Sequence, residues 1–249
     1  MNQKNNATTA LTYLGHSAVK IVCGDAVILI DPFLSASPTF TASDVNYDDV
    51  IKDVTHILLT HGHDDHVGDT LAIAKATGAE VIAMVELCMF LKNQGVENVN
   101  MMNLGGTVKI NKDVSVTFVQ AHHSSSTVID GQNVYLGNPA GLIITTPDDV
   151  IYHMGDTDIF GDMELIDAMY EPTIGLVPIG DKFTMGAQSA AIACTQFFNF
   201  DTIVPIHYGT FPQIDKNANA FAHAYETMAN ANEEHDAATL MALNIGDTL

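Results

Sequence analysis

Ile57-Leu58-Leu59-Thr60-His61-Gly62-His63-Asp64-Asp65-His66 reads as a short buried strand, Ile57–Thr60, that runs straight into a loop of imidazoles and carboxylates. Four of the 11 histidines, His56, His61, His63 and His66, fall in this neighbourhood, and three of them share six residues with Asp65. A lone histidine is ordinarily a hydrogen-bonded surface or core residue. A cluster containing a carboxylate offers the nitrogen and oxygen ligands of zinc and other borderline divalent ions. His61 and His63, two apart at an extended strand end, project to the same side, whereas Asp65 and His66 lie at the turn into the next helix and point from a different direction. One segment can therefore serve two adjacent ions. Gly62 suits a backbone that bends tightly between ligands.

A short loop cannot enclose an ion, so further ligands must arrive from elsewhere in the chain. His122-His123 follows the strand pattern Val114–Val119, Gly155-Asp156-Thr157 follows Val150–Met154, and His207 follows Thr202–Ile206. Ligands placed at strand ends converge on one edge of a rigid sheet scaffold, where binding loops gather.

The rest of the chain supplies such a scaffold. Leu11–Leu14, Ala18–Val22 and Ala26–Ile30, separated by Gly15-His16-Ser17 and Gly24-Asp25, predict an antiparallel meander closing in Asp31-Pro32. Val67–Thr77 predicts one helix ended by Gly78. Val81–Met84 reads as a strand, Val85–Leu91 as a helix and Val99–Met102 as a strand or turn. Val108–Ile110 with Val114–Val119 has hairpin alternation, and Gly141–Thr145 with Val150–Met154 begins a second β-rich set. Helical stretches Asp162–Tyr170, Ala187–Phe198 and Ala218–Ala229 then alternate with strands Ile174–Pro178 and Thr202–Ile206. A meander plus αβ units, given twice, predicts an α/β fold in which two mixed sheets pack face to face with helices outside, a four-layer αββα sandwich. At 249 residues, 47% hydrophobic and 16% charged, the chain has material for one large domain over residues 1–249. It is neither disordered nor fibrous.

Nine basic residues against 30 acidic ones leave a net charge of −21. Such a surface repels phosphate backbones and anionic lipid, so no nucleic-acid or membrane partner is expected. A bound cation would change the local field. Cys23, Cys88 and Cys194 are odd in number and far apart, and read as buried small hydrophobes or thiols of a reducing compartment. The polar stretch Met1–Leu11 has no signal-peptide core, and no run reaches the ~18 apolar residues that a spanning helix needs, so the expected location is the cytoplasm. The 11 methionines read as core filler. Asp48-Asp49, Asp148-Asp149 and Glu233-Glu234 read as solvated faces, and His56, His223 and His235 as ordinary residues outside the ligand set.

Taken in order, these motifs resemble those of the metallo-β-lactamase-fold hydrolases. Thr60–His66 matches the HxHxDH signature of that family, and His123, Asp156 and His207 match its later metal-binding motifs. Tyr13-Leu14-Gly15-His16-Ser17, Ile30-Asp31-Pro32-Phe33-Leu34, His123-Ser124-Ser125, Tyr152-His153-Met154-Gly155-Asp156-Thr157, Pro178-Ile179-Gly180-Asp181, Phe183-Thr184-Met185-Gly186 and Pro205-Ile206-His207-Tyr208 look like one branch. That branch is described generically as metal-dependent hydrolases and is related to phosphorylated-ascorbate lactonases. The similarity runs from about Leu11 to Tyr208.

The resemblance implies the αββα sandwich and a dinuclear centre of two divalent metal ions, usually zinc and sometimes manganese or iron. His61, His63 and His123 would hold the first ion; Asp65, His66 and His207 the second; Asp156 would bridge them. The doublet leaves two registers open, and His123 is preferred to His122 because it directly precedes Ser124-Ser125, as in the family pattern. With ions ~3.5–4 Å apart, a bridging water becomes hydroxide near neutral pH and would attack an ester-like centre. Asp65 would be the catalytic residue that orients it and passes its proton to the leaving group. Asp181, Lys182, Phe183 and Thr184 would form a substrate-facing loop, with Lys182 the scarce base that an anionic substrate needs. His16 and His153 flank family motifs and are candidates to line the pocket. Asp31 is a candidate to fix a ligand histidine through carboxylate–histidine–metal pairing.

Other functions on this scaffold fit less well. A diiron oxygen-reducing enzyme typically has glutamate at the place of His63 and a flavin partner module, and an RNA-processing member would carry a basic arm. A non-catalytic module closes structural zinc with four ligands, whereas seven candidates for two ions leave room for water and substrate. The expected activity is hydrolysis of a small ester, lactone or phosphoester rather than a β-lactam. The expected partner is a small-molecule substrate, and the size is compatible with a homo-oligomer.

Overall fold

The computed structural model describes residues 8–231 and 237–249. Glu233, Glu234 and His235 therefore lie outside the described residues. The first half of the chain begins with β1 (Thr9–Gly15), β2 (Ala18–Cys23) and β3 (Ala26–Ile30), an antiparallel meander. Its turns pass through Gly15 and Gly24 at φ 98° and 62°, left-handed backbone that favours glycine. Then come α1 (Pro38–Thr41), α2 (Tyr47–Ile51), β4 (His56–Leu58), α3 (Asp64–Val67), α4 (Thr70–Thr77), β5 (Glu80–Met84), α5 (Val85–Asn93) and β6 (Val99–Met102). The six strands form one sheet in chain order, parallel from β3 onward.

The second half contains β7 (Thr107–Lys109), β8 (Ser115–Gln120), β9 (Ser126–Ile129), β10 (Gln132–Tyr135), β11 (Ala140–Thr145), β12 (Val150–His153), α6 (Met163–Tyr170), β13 (Ile174–Pro178), α7 (Ala187–Gln196), β14 (Thr202–Ile206), α8 (Asn219–Ala231) and β15 (Thr239–Leu240). Seven of these strands make a sheet in the order β15-β14-β13-β12-β11-β8-β7. It is antiparallel from β7 to β12 and parallel from β12 to β15.

Strands buried on both faces send successive side chains into different layers. Ile28 and Ile30 meet Phe118, Leu142, Ile144 and Val204 between the two sheets. Leu29 points the other way, with Ile57 and Val81, onto Phe40, Ile73 and Leu87 of the first helical layer. Ile143, Tyr152 and Ile203 likewise face Ala190, Cys194 and Phe221 of the second. The αββα sandwich expected from the alternation is the fold observed. The three cysteines are buried, one in each of these layers. Among the described residues no helix is long and apolar enough to cross a membrane.

Two expectations need correction. Val67–Thr77 is not one helix: α3 begins earlier, at Asp64, and breaks from α4 at Gly68-Asp69. The break makes room for the Asp31-Pro32-Phe33 loop. Gly68 sits at φ 44°, where a Cβ would overlap the Pro32 carbonyl and lie 2.7 Å from Phe33 Cα. The Asp69 amide donates to Pro32 O at 2.9 Å, and its carboxylate accepts the Leu34 and Ser35 amides at 3.0 and 2.7 Å. The second correction is the separate hairpin of β9 and β10, which turns through Asp130 and Gly131 at φ 49° and 76°. Asp-Gly is a strong hairpin signal. It was masked because these strands are mostly exposed and lack a clear apolar alternation.

Gly68→Ala is expected to cost about 2–4 kcal/mol, combining a left-handed backbone with a steric overlap, whereas Gly78→Ala, left-handed but in open space, should cost about 1 kcal/mol. Denaturant unfolding of the two variants measures the difference, and equal costs would contradict the packing of the loop into the helix break.

Candidate metal centre

Loops leaving β4, β8, β12 and β14 meet at one edge of the sandwich. His61 and His63 follow β4, Asp65 and His66 lie on α3, His123 follows β8, Asp156 follows β12 and His207 follows β14. Their ligand atoms form two groups, His61/His63/His123/Asp156 and His16/Asp65/His66/His207, each with all atoms within 4.8 Å of one another. His63 Nδ1 lies 2.9 Å from His61 Nε2 and 3.3 Å from His123 Nε2. Asp156 faces both groups: Oδ2 is 3.5 Å from His123 Nε2 and 3.1 Å from His207 Nε2, while Oδ1 is 3.2 Å from His66 Nε2. Donors bound to one zinc at ~2.0–2.1 Å in a tetrahedron stand about 3.4 Å apart, so this spacing suits lone pairs sharing a cation.

The hydrogen bonds behind the cluster set which nitrogen each ring presents. The Thr60 hydroxyl gives its single proton to Asp31 Oδ2 at 2.6 Å, so it accepts from His61 Nδ1 at 3.0 Å. His66 Nδ1 donates to the same Asp31 oxygen at 2.7 Å, and the Thr60 amide donates to the other at 2.9 Å. Both rings therefore turn an unprotonated Nε2 toward the centre when neutral. His66 Nε2 and Asp156 Oδ1 are buried and have no hydrogen-bond partner among the described residues. Leaving both unsatisfied is costly; a proton on His66 Nε2, 3.2 Å from Asp156 Oδ1, or a cation between the two satisfies both. The residues present fit a metal ion.

Local strain accompanies this arrangement. His16, Asp31, Asp181, Lys182 and His207 are five of the seven non-glycine residues at positive φ among the described residues. The His207 amide donates to the His16 carbonyl at 2.8 Å, which holds two of them together. Gly180 allows the approach of His207, since a Cβ there would stand 2.9 Å from its Nδ1.

Electrostatics oppose protons on one side of the centre and invite one on the other. Burial, with neighbouring His66, holds His61 well below the usual imidazole range, and burial also lowers His63 and His123. Burial opposes ionisation of Asp156, but His207 and His66 override it and keep the carboxyl well below its ordinary value. His66 is the reverse case: burial disfavours its charge, yet Asp156 and Asp31 on either side hold its pKa well above the usual value. A cation entering the centre therefore competes with a proton on His66.

The other predicted residues divide clearly. Asp31 is fully buried, with its carboxylate on His66 directly and on His61 through Thr60. His16 reaches the cluster, with Nε2 3.1 Å from Asp65 Oδ2 and Nδ1 3.0 Å from Thr210 Oγ1. Burial and His207 push its pKa down to about 4 against the pull of Asp65, so near neutral pH it is an uncharged ring holding that carboxylate. His153 does not reach the pocket. Its Nε2 donates to Ser17 O at 2.8 Å and its Nδ1 accepts from the Gly155 amide at 3.1 Å, tying the β1–β2 turn to the end of β12. His122 stacks on Phe160 at 4.5 Å, outside both ligand groups, so His123 is the member of the doublet that joins the cluster. His56 bonds Thr55 at the opposite end of β4.

A cavity of about 460 Å³ opens over His63, Asp65, His123, Asp156 and His207, walled by Ser124, Lys182, Phe183 and Phe211. Asp181 and Thr184 do not line it. The Thr184 amide donates to Asp181 O at 3.0 Å, closing the turn that presents Lys182 and Phe183. Sequence reasoning missed Phe211, Thr210 and the role of Thr60. Only the adjacency of Thr60 to His61 offered a signal.

Calorimetric titration of the metal-free protein with zinc at pH 7, in buffers of different ionisation enthalpy, is expected to show release of about one proton, from His66. The sign follows from a pKa raised in the metal-free protein, so release should fade as pH rises through that pKa; heats independent of buffer at pH 7 would contradict it. Asp31→Ala should weaken metal binding about 10–100-fold, measured by competition with a chelator, because two ligand rings lose their anchor.

Residues 27–208 match the family model of the beta-lactamase superfamily domain. The chain is 53% identical over 215 residues to a UPF0173 metal-dependent hydrolase of Methylocella silvestris, covering 86% of this chain and 91% of that one. A counterpart in Chelativorans sp. is 52% identical over 219 residues, with 87% and 92% covered. The solved structure of Igni18, a metallo hydrolase of the hyperthermophilic archaeon Ignicoccus hospitalis, matches with a TM-score of 0.82 at 31% identity, covering 97% of both chains. With its sandwich fold and its paired histidine–aspartate groups, the chain belongs to the beta-lactamase superfamily, among the UPF0173 metal-dependent hydrolases.

Proposed function

We propose that this hydrolase cleaves a small ester, lactone or phosphoester at a dinuclear centre. His61, His63 and His123 hold one ion, Asp65, His66 and His207 the other, and Asp156 serves both. The observation that carries the reading is the buried Asp156 carboxylate, whose Oδ2 lies 3.5 Å from His123 Nε2 of one ligand group and 3.1 Å from His207 Nε2 of the other, with Oδ1 3.2 Å from His66 Nε2. Two divalent ions, zinc by donor chemistry with manganese or iron as alternatives, would supply an acidified water as nucleophile and a Lewis acid for the substrate's carbonyl or phosphoryl oxygen.

The chain's own groups do the rest. Asp65 borders the cavity and its side chain is 28% exposed. Burial works against its charge, but the hydrogen bond from His16 and the nearby His66 keep its pKa below the ordinary carboxylate value. It is therefore an ionised acceptor, suited to orient the attacking water and to relay its proton toward the leaving oxygen. His16 is a positioning residue, locking the carboxylate from the side away from solvent. Phe183 and Phe211 give the cavity over the centre its apolar walls. The open cavity above His63 and His123 favours turnover over a purely structural site, in which protein ligands close the shell.

Asp156→Ala is expected to lower bound metal below the wild-type stoichiometry and to reduce hydrolysis of a phosphodiester and lactone panel by more than about 100-fold. Elemental analysis and initial rates measure the two effects. Unchanged metal content and turnover would refute the assignment, as would wild-type activity that survives a strong chelator.

A further inference from the structure

We infer that the substrate is a small anion with a ring-sized apolar body, its negative group held by Lys182 and its body between Phe183 and Phe211. This rests on the hydrolase reading and specifies what that site accepts. Once the metal-binding side chains are set aside, the cavity walls are two phenyl rings, the Ser124 hydroxyl and the Lys182 ammonium.

The ammonium stands out against the rest of the chain. Every Lys or Arg position is a lysine, nine in all, in a protein of net charge −21, and among the described residues Lys182 is the one that borders this cavity. Among the described residues it makes no ion pair; Nζ lies 5.3 Å from the centre of the Phe183 ring. Its placement is built rather than incidental. Asp181 and Lys182 occupy left-handed backbone at φ 58° and 40°. The turn is held by the Asp181 amide on Met185 O at 3.1 Å, and by the Met185 amide on Thr157 O at 3.0 Å, beside Asp156. The strained turn is thus tied to the loop that carries the shared carboxylate, and its tip faces the cavity.

The apolar walls are likewise arranged for a ligand. Phe211 packs edge-on against His16 at 5.3 Å and tilts on Phe33 at 6.0 Å, so its orientation is fixed from behind. Phe183 is 51% exposed, which leaves apolar surface for a ligand to cover. An anionic group drawn onto the metal ions would block the reaction; an ammonium at the rim gives it another resting place and leaves the scissile bond over the centre.

The test compares 4-acetoxybenzoate with 4-acetoxybenzamide, equal in shape and different in charge, using metal-loaded wild type, Lys182→Gln and Phe183→Ala. The wild type is expected to show a KM about fivefold lower for the carboxylate, the size set by a partly solvated ion pair. In Lys182→Gln the two KM values converge, and in Phe183→Ala both rise. Calorimetric binding of 4-hydroxybenzoate and 4-hydroxybenzamide gives a readout without turnover. A preference for the benzoate that Lys182→Gln removes, in a protein that hydrolyses no member of the wider panel, would leave this inference standing and overturn the hydrolase reading. Equal handling of charged and neutral probes by the wild type, or a preference that survives Lys182→Gln, overturns the inference whatever the activity.

Discussion

A carboxylate buried among imidazoles is the constraint around which this molecule is organised. Asp156 is 3% exposed, and ionisation there is tolerable only because His207 and His66 stand against it. Without positive charge nearby, the same burial would push the carboxyl toward its neutral form. The opposing demands of Asp156 and its neighbours resolve most simply when cations occupy the space between their lone pairs.

Behind this centre stands a second buried carboxylate. Asp31 ends β3, accepts from Thr60 and His66, and so couples the meander to the loop that follows β4. The break between α3 and α4 belongs to the same device. Gly68 and Asp69 let the Pro32-Phe33 backbone dock against the helix that bears Asp65 and His66, and residue 31 is thereby brought under the His66 ring. Strain at His16, Asp31 and His207 is sustained by this mesh of hydrogen bonds. The rigidity of the two packed sheets makes it affordable.

Much of this was legible in the residues alone. Continuous apolar runs through Ala26–Ile30 and Gly141–Thr145 announce strands buried on both sides, and the candidate ligands follow directly on strand ends, so local pattern carries both the fold and the donor set. Legibility fails where a role depends on a partner far along the chain. His16 and His153 look alike as motif-flanking histidines, yet one meets Thr210, 194 residues away, and holds Asp65, while the other meets the Ser17 carbonyl and stays structural. His122 and His123 are adjacent, yet in the bend after β8 one ring stacks on Phe160 while the other meets His63.

By itself the sequence determined the layered α/β architecture, the donor types and their order, because those follow from short-range periodicity and from the chemistry of imidazole and carboxylate. Only the tertiary structure decided that Asp156 faces both ligand groups, that Thr60 and Asp31 orient the rings, and that Phe211 joins Lys182 and Phe183 over the opening. Those are matters of distance between loops remote in sequence, and they are set by how the two sheets pack.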